Sequence, residues 1–343
     1  MVTSEMPTSF PKPSIVAGVE QIECNQCGAD NTSVVLRVPT PVQYGLQFGR
    51  DDWNIVRCRQ CGLVYVNPRV DAETLRTFYS FDNSSDRSFV QAWFMDGADL
   101  QRATWRRFVR TLQRFCPKGR LLDVGCGAGS FLVEAQRAGY EVAGQEVSPY
   151  FLDQLRSQFS IPIYSGDIEN MAVSEASFDC VTAFDVIEHH PNPKQLLNEI
   201  HRLLRPGGIA MISTHDIGNA FARLYRMHWR HIHPIGHLTY FTRQTLTKMM
   251  ESCGFRVIHG GGLRTIDADW QRTALNWLTQ PFKTILLRAL ILGTYKPLAT
   301  RIPALTRWQV RLGGALMNHE QLMLRTGGQL IINDDIVLLA VAE

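Results

Sequence analysis

Leu121-Leu122-Asp123-Val124-Gly125-Cys126-Gly127-Ala128-Gly129-Ser130-Phe131-Leu132 is an apolar run that passes into alternating glycines and then into a helical pattern. The run before Gly125 reads as a parallel strand covered on both faces. The glycines let the chain turn tightly and approach a ligand with no Cβ in the way. From Ser130 onward, Phe131, Leu132, Ala135 and Ala138 fall on one helical side, which should pack on the sheet. The glycines follow G-x-G-x-G with an acid, Asp123, two residues ahead, whereas a dinucleotide fingerprint needs G-x-G-x-x-G, so a nicotinamide cofactor is disfavoured. A second acid, Glu146, follows Val142-Ala143-Gly144, where a second parallel strand would end beside the first and a carboxylate can grip ribose hydroxyls. Gly166-Asp167-Ile168 then follows a short strand-like run from Pro162 to Tyr164. Asp167 is placed to accept from an adenine amino group, with Ile168 against its ring. Three strand ends in order outline one nucleoside pocket.

Residues 123–129 resemble the first motif, D-x-G-C-G-x-G, of the class I S-adenosylmethionine-dependent methyltransferases. The match continues through Phe178-Asp179-Cys180-Val181-Thr182-Ala183-Phe184-Asp185-Val186-Ile187-Glu188-His189 and Leu203-Leu204-Arg205-Pro206-Gly207-Gly208-Ile209. These look like the family's fourth strand, the helix after it, the Pro-Gly-Gly turn and the fifth strand. The resemblance covers residues 117–262 and implies an α/β, Rossmann-like seven-stranded sheet. It implies that Asp123, Gly125, Cys126, Gly127 and Gly129 surround the amino-acid half of S-adenosylmethionine, that Glu146 takes the ribose and Asp167 with Ile168 the adenine, and that Phe184 borders the same cofactor.

The chemistry is expected around Asp185-Val186-Ile187-Glu188-His189-His190-Pro191-Asn192-Pro193, at the carboxyl end of the fourth strand, where open α/β sheets place ligands. The Asn/Asp-Pro-Pro-aromatic tetrad of methyltransferases acting on exocyclic amines is missing. The Glu-His form resembles small-molecule enzymes, including the O-methyltransferases of ubiquinone biosynthesis. Methyl transfer to a hydroxyl needs alignment and a base. His189 is the first choice, Glu188 its neighbour in the motif and His237 the next base in line. Glu188 and His189 could instead only fix the loop, and resemblance to the quinone enzymes implies a divalent ion at Asp185, Glu188 and His189. The run from His228 to Phe241, with His231, His233, His237, Tyr240 and Phe241, should wall the acceptor pocket. His231 and His233 lack a companion carboxylate or cysteine at metal spacing.

Cys24-x2-Cys27 and Cys58-x2-Cys61, each pair followed by glycine, read as two knuckles closing a tetrahedral structural Zn2+ site. A redox role for the pairs is the rival, without a thioredoxin-like context to support it. Metal would stabilise a segment of roughly forty-five residues, too small to hold itself together by apolar burial. The expected organisation is a disordered tail (1–20), a zinc ribbon (21–66), a linker with N-terminal helices (67–116), the core (117–262), a helical insertion (263–333) and a final core strand (334–343). Trp105, Phe108, Val109, Leu112 and Phe115 recur at helical spacing. Arg102, Arg106, Arg107, Arg110 and Arg114 between them read as a solvated face.

The insertion carries seven basic and no acidic residues over 270–318, with short helices expected around 282–292 and 304–317. Its apolar run, Ile285 to Leu292, is too short for a span, which needs about 20 residues. A substrate cap and an element lying on an anionic membrane surface are both open readings. The N-terminus shows no signal-peptide pattern, and scattered apolar cysteines suit a reducing compartment, so a cytoplasmic protein, peripheral on the inner face of a membrane if the insertion binds lipid, is expected. The net charge of +3 is too modest to favour a nucleic-acid partner. The expected function is methyl transfer to a hydroxyl of a small or lipid-linked intermediate of glycan, lipid or quinone type. Carbon or nitrogen methylation of a sugar or metabolite is the alternative, with an RNA methyltransferase behind it.

Overall fold

The computed structural model describes residues 18–40, 48–80, 98–229, 231–261 and 335–343. Its N-terminal part consists of β1 (Val19–Glu20), β2 (Thr32–Pro39), β3 (Asp52–Cys58), β4 (Val64–Val66), β5 (Arg69–Val70) and α1 (Ala72–Ser80). Helix α2 (Ala98–Gln113) leads into β6 (Arg120–Val124), α3 (Ser130–Arg137), β7 (Glu141–Glu146), α4 (Pro149–Gln158), β8 (Ile163–Ser165) and β9 (Phe178–Phe184). The chain continues with α5 (Pro193–Leu203), β10 (Leu204–His215), α6 (Ala220–Tyr225), β11 (Thr239–Tyr240), α7 (Arg243–Ser252), β12 (Phe255–Gly261) and β13 (Asp335–Ala342).

The large sheet has the order β12-β13-β10-β9-β6-β7-β8. Strands β10, β9, β6, β7 and β8 run parallel, while β13 is antiparallel to both β10 and β12. This is the Rossmann-like class I methyltransferase sheet. The apolar run Ile336 to Val341 supplies the reversed strand, inserted between β10 and β12 as expected of a last strand. The strand order reverses between β6 and β9, which opens a crevice at their carboxyl ends.

Local sequence explains the helices that cover the sheet. In α3, Phe131, Leu132 and Ala135 are buried at helical spacing. Helix α5 starts at Asn192, whose side chain accepts from the Gln195 N–H, with Pro193 in the first turn; it buries Leu196, Leu197, Ile200 and Leu203. Helix α7 opens on a Thr242–Thr245 capping box and buries Leu246, Met249 and Met250. Gly254, at φ 84°, turns the chain into β12.

Three expectations need correction. Val19 and Glu20 are not tail: they pair antiparallel with Val70 and Arg69. The arginines of α2 are not simply a solvated face, since Arg102 and Arg106 reach across to the buried Glu134 of α3, which Arg137 also meets. Their side chains stay 44% and 57% exposed, so the face remains solvated while its guanidinium groups meet the carboxylate. Phe115 lies beyond the end of α2 and is 38% exposed, so it is not part of the buried stripe.

The four-cysteine segment shares its sheet with the core, in the order β11-β4-β3-β2. Its Cys24, Val56, Cys58, Leu63 and Tyr65 belong to one apolar cluster with Leu122, Ile187 and Phe241. A segment this small lacks interior of its own and borrows the interior next to it. The expected insertion at 263–333, with its two helices and its capping or membrane role, lies outside the described residues. Among the described residues no helix is long and apolar enough to cross a membrane.

Candidate active site

The glycine loop leaves β6 with Gly125, Gly127 and Gly129 all at left-handed φ, of 64°, 52° and 75°. L-residues with side chains resist that geometry, so glycine is required for the loop to fold back over the strand end. Glu146, at the end of β7, holds the loop: its Oε2 accepts from Gly127 N (2.8 Å), and its Oε1 accepts from Val147 N (2.9 Å) and Ser148 N (2.8 Å). Burial pushes Glu146 up, and these three N–H groups oppose it. Gln145 continues the lacing, accepting from Gly125 N at 3.0 Å and donating to the Gly166 carbonyl at 2.6 Å. Asp123 is buried and accepts from Thr182 Oγ1 at 2.6 Å. Burial raises it to about 7 against that hydrogen bond. Cys126 is buried with its sulfur against Gly144, where a Cβ would come within 2.6 Å.

Asp167 is exposed at the mouth beyond β8, whereas Ile168 is buried in the core cluster. Phe184 ends β9 in a stack of rings, 4.8 Å from Phe108 and Phe131 and 5.4 Å from Trp105 between centroids. The strand ends thus converge on one crevice whose carboxylates and Cβ-free loop suit the ribose and amino-acid ends of S-adenosylmethionine.

Beyond β9 the chain enters a cluster that the sequence only half announced. His189 Nδ1 lies 2.9 Å from Gly236 O and 2.8 Å from Tyr79 Oη. A carbonyl only accepts, so Nδ1 carries the proton and Nε2 the lone pair. Burial holds the ring neutral, down to about 4. His237 stands edge-on to it, at 4.6 Å between centroids, with Nδ1 2.8 Å from His231 O. Its charged form is likewise disfavoured by burial and by its histidine neighbours. Tyr240 closes this wall, its hydroxyl accepting from His233 N at 3.2 Å.

Glu188 is 2% exposed, and neither oxygen has a hydrogen bond of ordinary geometry among the described residues. Burial raises its pKa, opposed by His215, whose Nε2 is 3.5 Å from Oε1. His215 Nδ1 in turn lies 2.9 Å from Asp335 Oδ1. Burial works against charge on His215, but Asp185, Asp335 and Glu188 outweigh it and lift the group to about 9.

His215, Asp335 and Tyr79 were not anticipated. His215 ends a parallel strand at the ligand face, as Glu146 and Phe184 do, and that rule could have found it. Asp335 sits beside it because β13 is antiparallel, pairing its first residue with the last of β10. The ligand atoms expected at Asp185, Glu188 and His189 do not gather within 4.8 Å among the described residues, where Glu188 groups instead with His215 and His237.

The four cysteines do converge. Their sulfurs lie within 4.8 Å of one another, with Cys24–Cys61 at 3.4 Å and Cys27–Cys58 at 3.5 Å. A tetrahedral site with metal–sulfur bonds of about 2.3 Å has sulfurs about 3.8 Å apart, so the cluster fits a thiophilic ion. Each pair closes a tight turn: Gly28 N donates to Cys24 O at 2.8 Å and Gly62 N to Cys58 O at 3.0 Å. Although burial works against its charge, backbone N–H groups of Cys61 and Gln60 bring Cys58 down to about 7.

Residues 98–260 match the methyltransferase-domain family described as "Methyltransferase domain". This part of the chain is an S-adenosylmethionine-dependent methyltransferase domain. Among curated relatives, the biotin biosynthesis bifunctional protein BioHC of Cellvibrio japonicus is 30% identical over 164 residues, which cover 47% of this chain and 32% of that protein. A ubiquinone biosynthesis O-methyltransferase of Xanthomonas campestris is 33% identical over 104 residues, 29% of this chain and 44% of that one. The chain therefore spans less than half the length of these relatives. A SAM-dependent methyltransferase from Thermotoga maritima is similar in structure with a TM-score of 0.41 and 22% identity, covering 50% of this chain and 76% of that one. The matched residues contain every position expected to line the cofactor pocket and both Glu188 and His189, while the cysteine cluster and Tyr79 precede them and Asp335 follows them.

Proposed function

We propose that the chain methylates a hydroxyl of a small or lipid-linked biosynthetic intermediate of glycan, lipid or quinone type. The observation that carries this reading is the orientation of His189, an uncharged imidazole pinned through Nδ1 beside the cofactor crevice with the Nε2 lone pair left for a proton. Asp123, Gly125, Cys126, Gly127 and Gly129 would hold the amino-acid half of S-adenosylmethionine. Glu146 keeps lone pairs on Oε2 for a ribose hydroxyl, and Asp167 reaches the adenine edge with Ile168 behind it. The cofactor, when bound, supplies a sulfonium methyl group. His189 would take the proton of an acceptor hydroxyl aligned with that methyl group. The rings of His237 and Tyr240 would flank the acceptor.

The relatives support an acceptor of this kind, one of them being named for O-methylation in ubiquinone biosynthesis. The four thiolates are assigned to a structural Zn2+, because all four positions of a tetrahedron are filled by protein and none is left for substrate. A cytoplasmic enzyme that meets lipid-linked acceptors at an anionic membrane surface through residues 263–333 completes the proposal.

Calorimetric titration with S-adenosylhomocysteine, with and without anionic vesicles, tests it, followed by transfer of labelled methyl to phenolic and sugar acceptors. Micromolar binding and label on oxygen are expected. Absence of cofactor binding, or label on carbon or nitrogen alone, would defeat it.

A further inference from the structure

We propose that Glu188, His215 and His237 form a binding site for a divalent first-row transition ion on the acceptor side of the crevice. The site itself stands on geometry, and only its task, holding the acceptor hydroxyl, rests on the methyl-transfer reading above.

One ligand atom from each residue lies within 4.8 Å of those of the other two. The three come from separate parts of the chain: the loop after β9, the last residue of β10, and the histidine-rich segment before β11. Two ligands held about 2.1 Å from one ion, at tetrahedral to octahedral angles, lie about 3.0–3.4 Å apart. His215 Nε2 and Glu188 Oε1 stand at 3.5 Å, close to that separation. Each imidazole has its other nitrogen fixed by an oxygen, His215 Nδ1 by Asp335 at 2.9 Å and His237 Nδ1 by His231 O at 2.8 Å. That is the outer arrangement which sets a metal-binding histidine's tautomer and presents Nε2 to an ion.

A second, independent observation points the same way. Both Glu188 oxygens are buried without a hydrogen bond of ordinary geometry, the Thr214 side chain and His215 at 3.5 Å giving only weaker support, an expensive condition for a carboxylate unless a cation completes it. Asp185, Glu188 and Asp335 together surround His215 with negative charge. Two imidazoles and one carboxylate suit Zn2+, Fe2+ or Co2+ better than the all-oxygen preference of Mg2+ or Ca2+, and three protein ligands leave positions open for substrate. The neighbouring group His215, His231 and Asp335 is the weaker site, because Asp335 already serves His215 as its outer partner.

The competing state of the same cluster is a proton on His215 that neutralises Glu188. The two are separated by titrating the full chain, its four-cysteine site saturated with Zn2+, with Co2+ while following heat and visible absorbance. One further ion per chain is expected, with d–d bands and no thiolate charge-transfer band. Glu188→Gln and His215→Ala should each weaken it at least about tenfold, with S-adenosylhomocysteine affinity held within about twofold as the check on folding. If the wild-type chain takes up no further Co2+, the cluster is a proton-filled ion pair and the proposal fails. Uptake unchanged in both variants would also sink it. Cofactor affinity is read separately, so loss of the metal site leaves the methyl-transfer reading standing, and the converse also holds.

Discussion

Glu146 and Asp167 are expected to contact the same nucleoside, yet they differ in what else they do. Glu146 satisfies three backbone N–H groups, so Glu146→Ala removes the clasp that holds the glycine loop to the end of β7 as well as the expected ribose contact. That variant should lose S-adenosylhomocysteine binding and several degrees of melting temperature together. Asp167 is exposed. Asp167→Ala should weaken cofactor binding and leave the melting temperature unchanged, and normal affinity in calorimetry would remove it from the adenine site. His189→Ala should keep cofactor affinity while kcat falls by about 10²–10⁴, the usual worth of a positioned base. Unchanged turnover would pass the role to His237. At this scale the glycine loop and the acids at the strand ends were legible because a left-handed loop tolerates few residues but glycine, and because strand ends fix where acids must stand. The partners of Glu188 were not, because they depend on which strand ends become neighbours, which no local pattern records.

Helices α2 and α3 meet through aromatic packing of Trp105 and Phe131 and through Glu134, which is 5% exposed and receives Arg106 at 2.8 Å and Arg137 at 2.5 Å. Burial opposes the Glu134 charge, but the two guanidinium groups prevail and hold its pKa below the ordinary carboxylate value. A carboxylate lowered in the folded state stabilises it above the unfolded pKa, near 4.5, and loses that contribution as pH falls through the lower, folded value. Glu134→Gln should therefore cost about 1–3 kcal/mol at neutral pH and flatten the acid limb of the stability curve. Urea melts of both proteins between neutral pH and pH 3 would show it, and parallel pH dependences would refute the pair's contribution. The helix itself was readable from its apolar spacing. The ion pairs were not, because an arginine stripe looks the same whether it faces water or a carboxylate on the next helix.

The cysteine segment and the methyltransferase domain are mechanically one body around the candidate base. Strand β4 pairs with β11, and Leu238 N, just before β11, donates to Glu188 O at 2.8 Å. Asn25, between the first two cysteines, donates to Pro191 O at 3.0 Å, and Arg69 donates to the same carbonyl. Tyr79 of α1 reaches His189 itself. The loop carrying Glu188 and His189 is thus gripped by the N-terminal segment, whereas Asp123, Gly127 and Glu146 are held by bonds internal to the large sheet. Spacing revealed the four-cysteine cluster and the sheet as separate units, but not their contact, since the apolar side chains of β3 and β4 fit a self-contained ribbon equally well. Removing the ion proposed at the four cysteines should therefore loosen the loop carrying Glu188 and His189 before it disturbs the proposed cofactor pocket. Treatment with a strong chelator, or Cys27→Ser, should abolish most methyl transfer and lower the melting temperature, while S-adenosylhomocysteine affinity stays within several-fold. Because a chelator would also empty a site at Glu188, the cysteine variant is the decisive one. If Cys27→Ser lost cofactor affinity and turnover in equal proportion, the ribbon would be stabilising the whole fold rather than bracing the loop, and full turnover in that variant would show that it does neither.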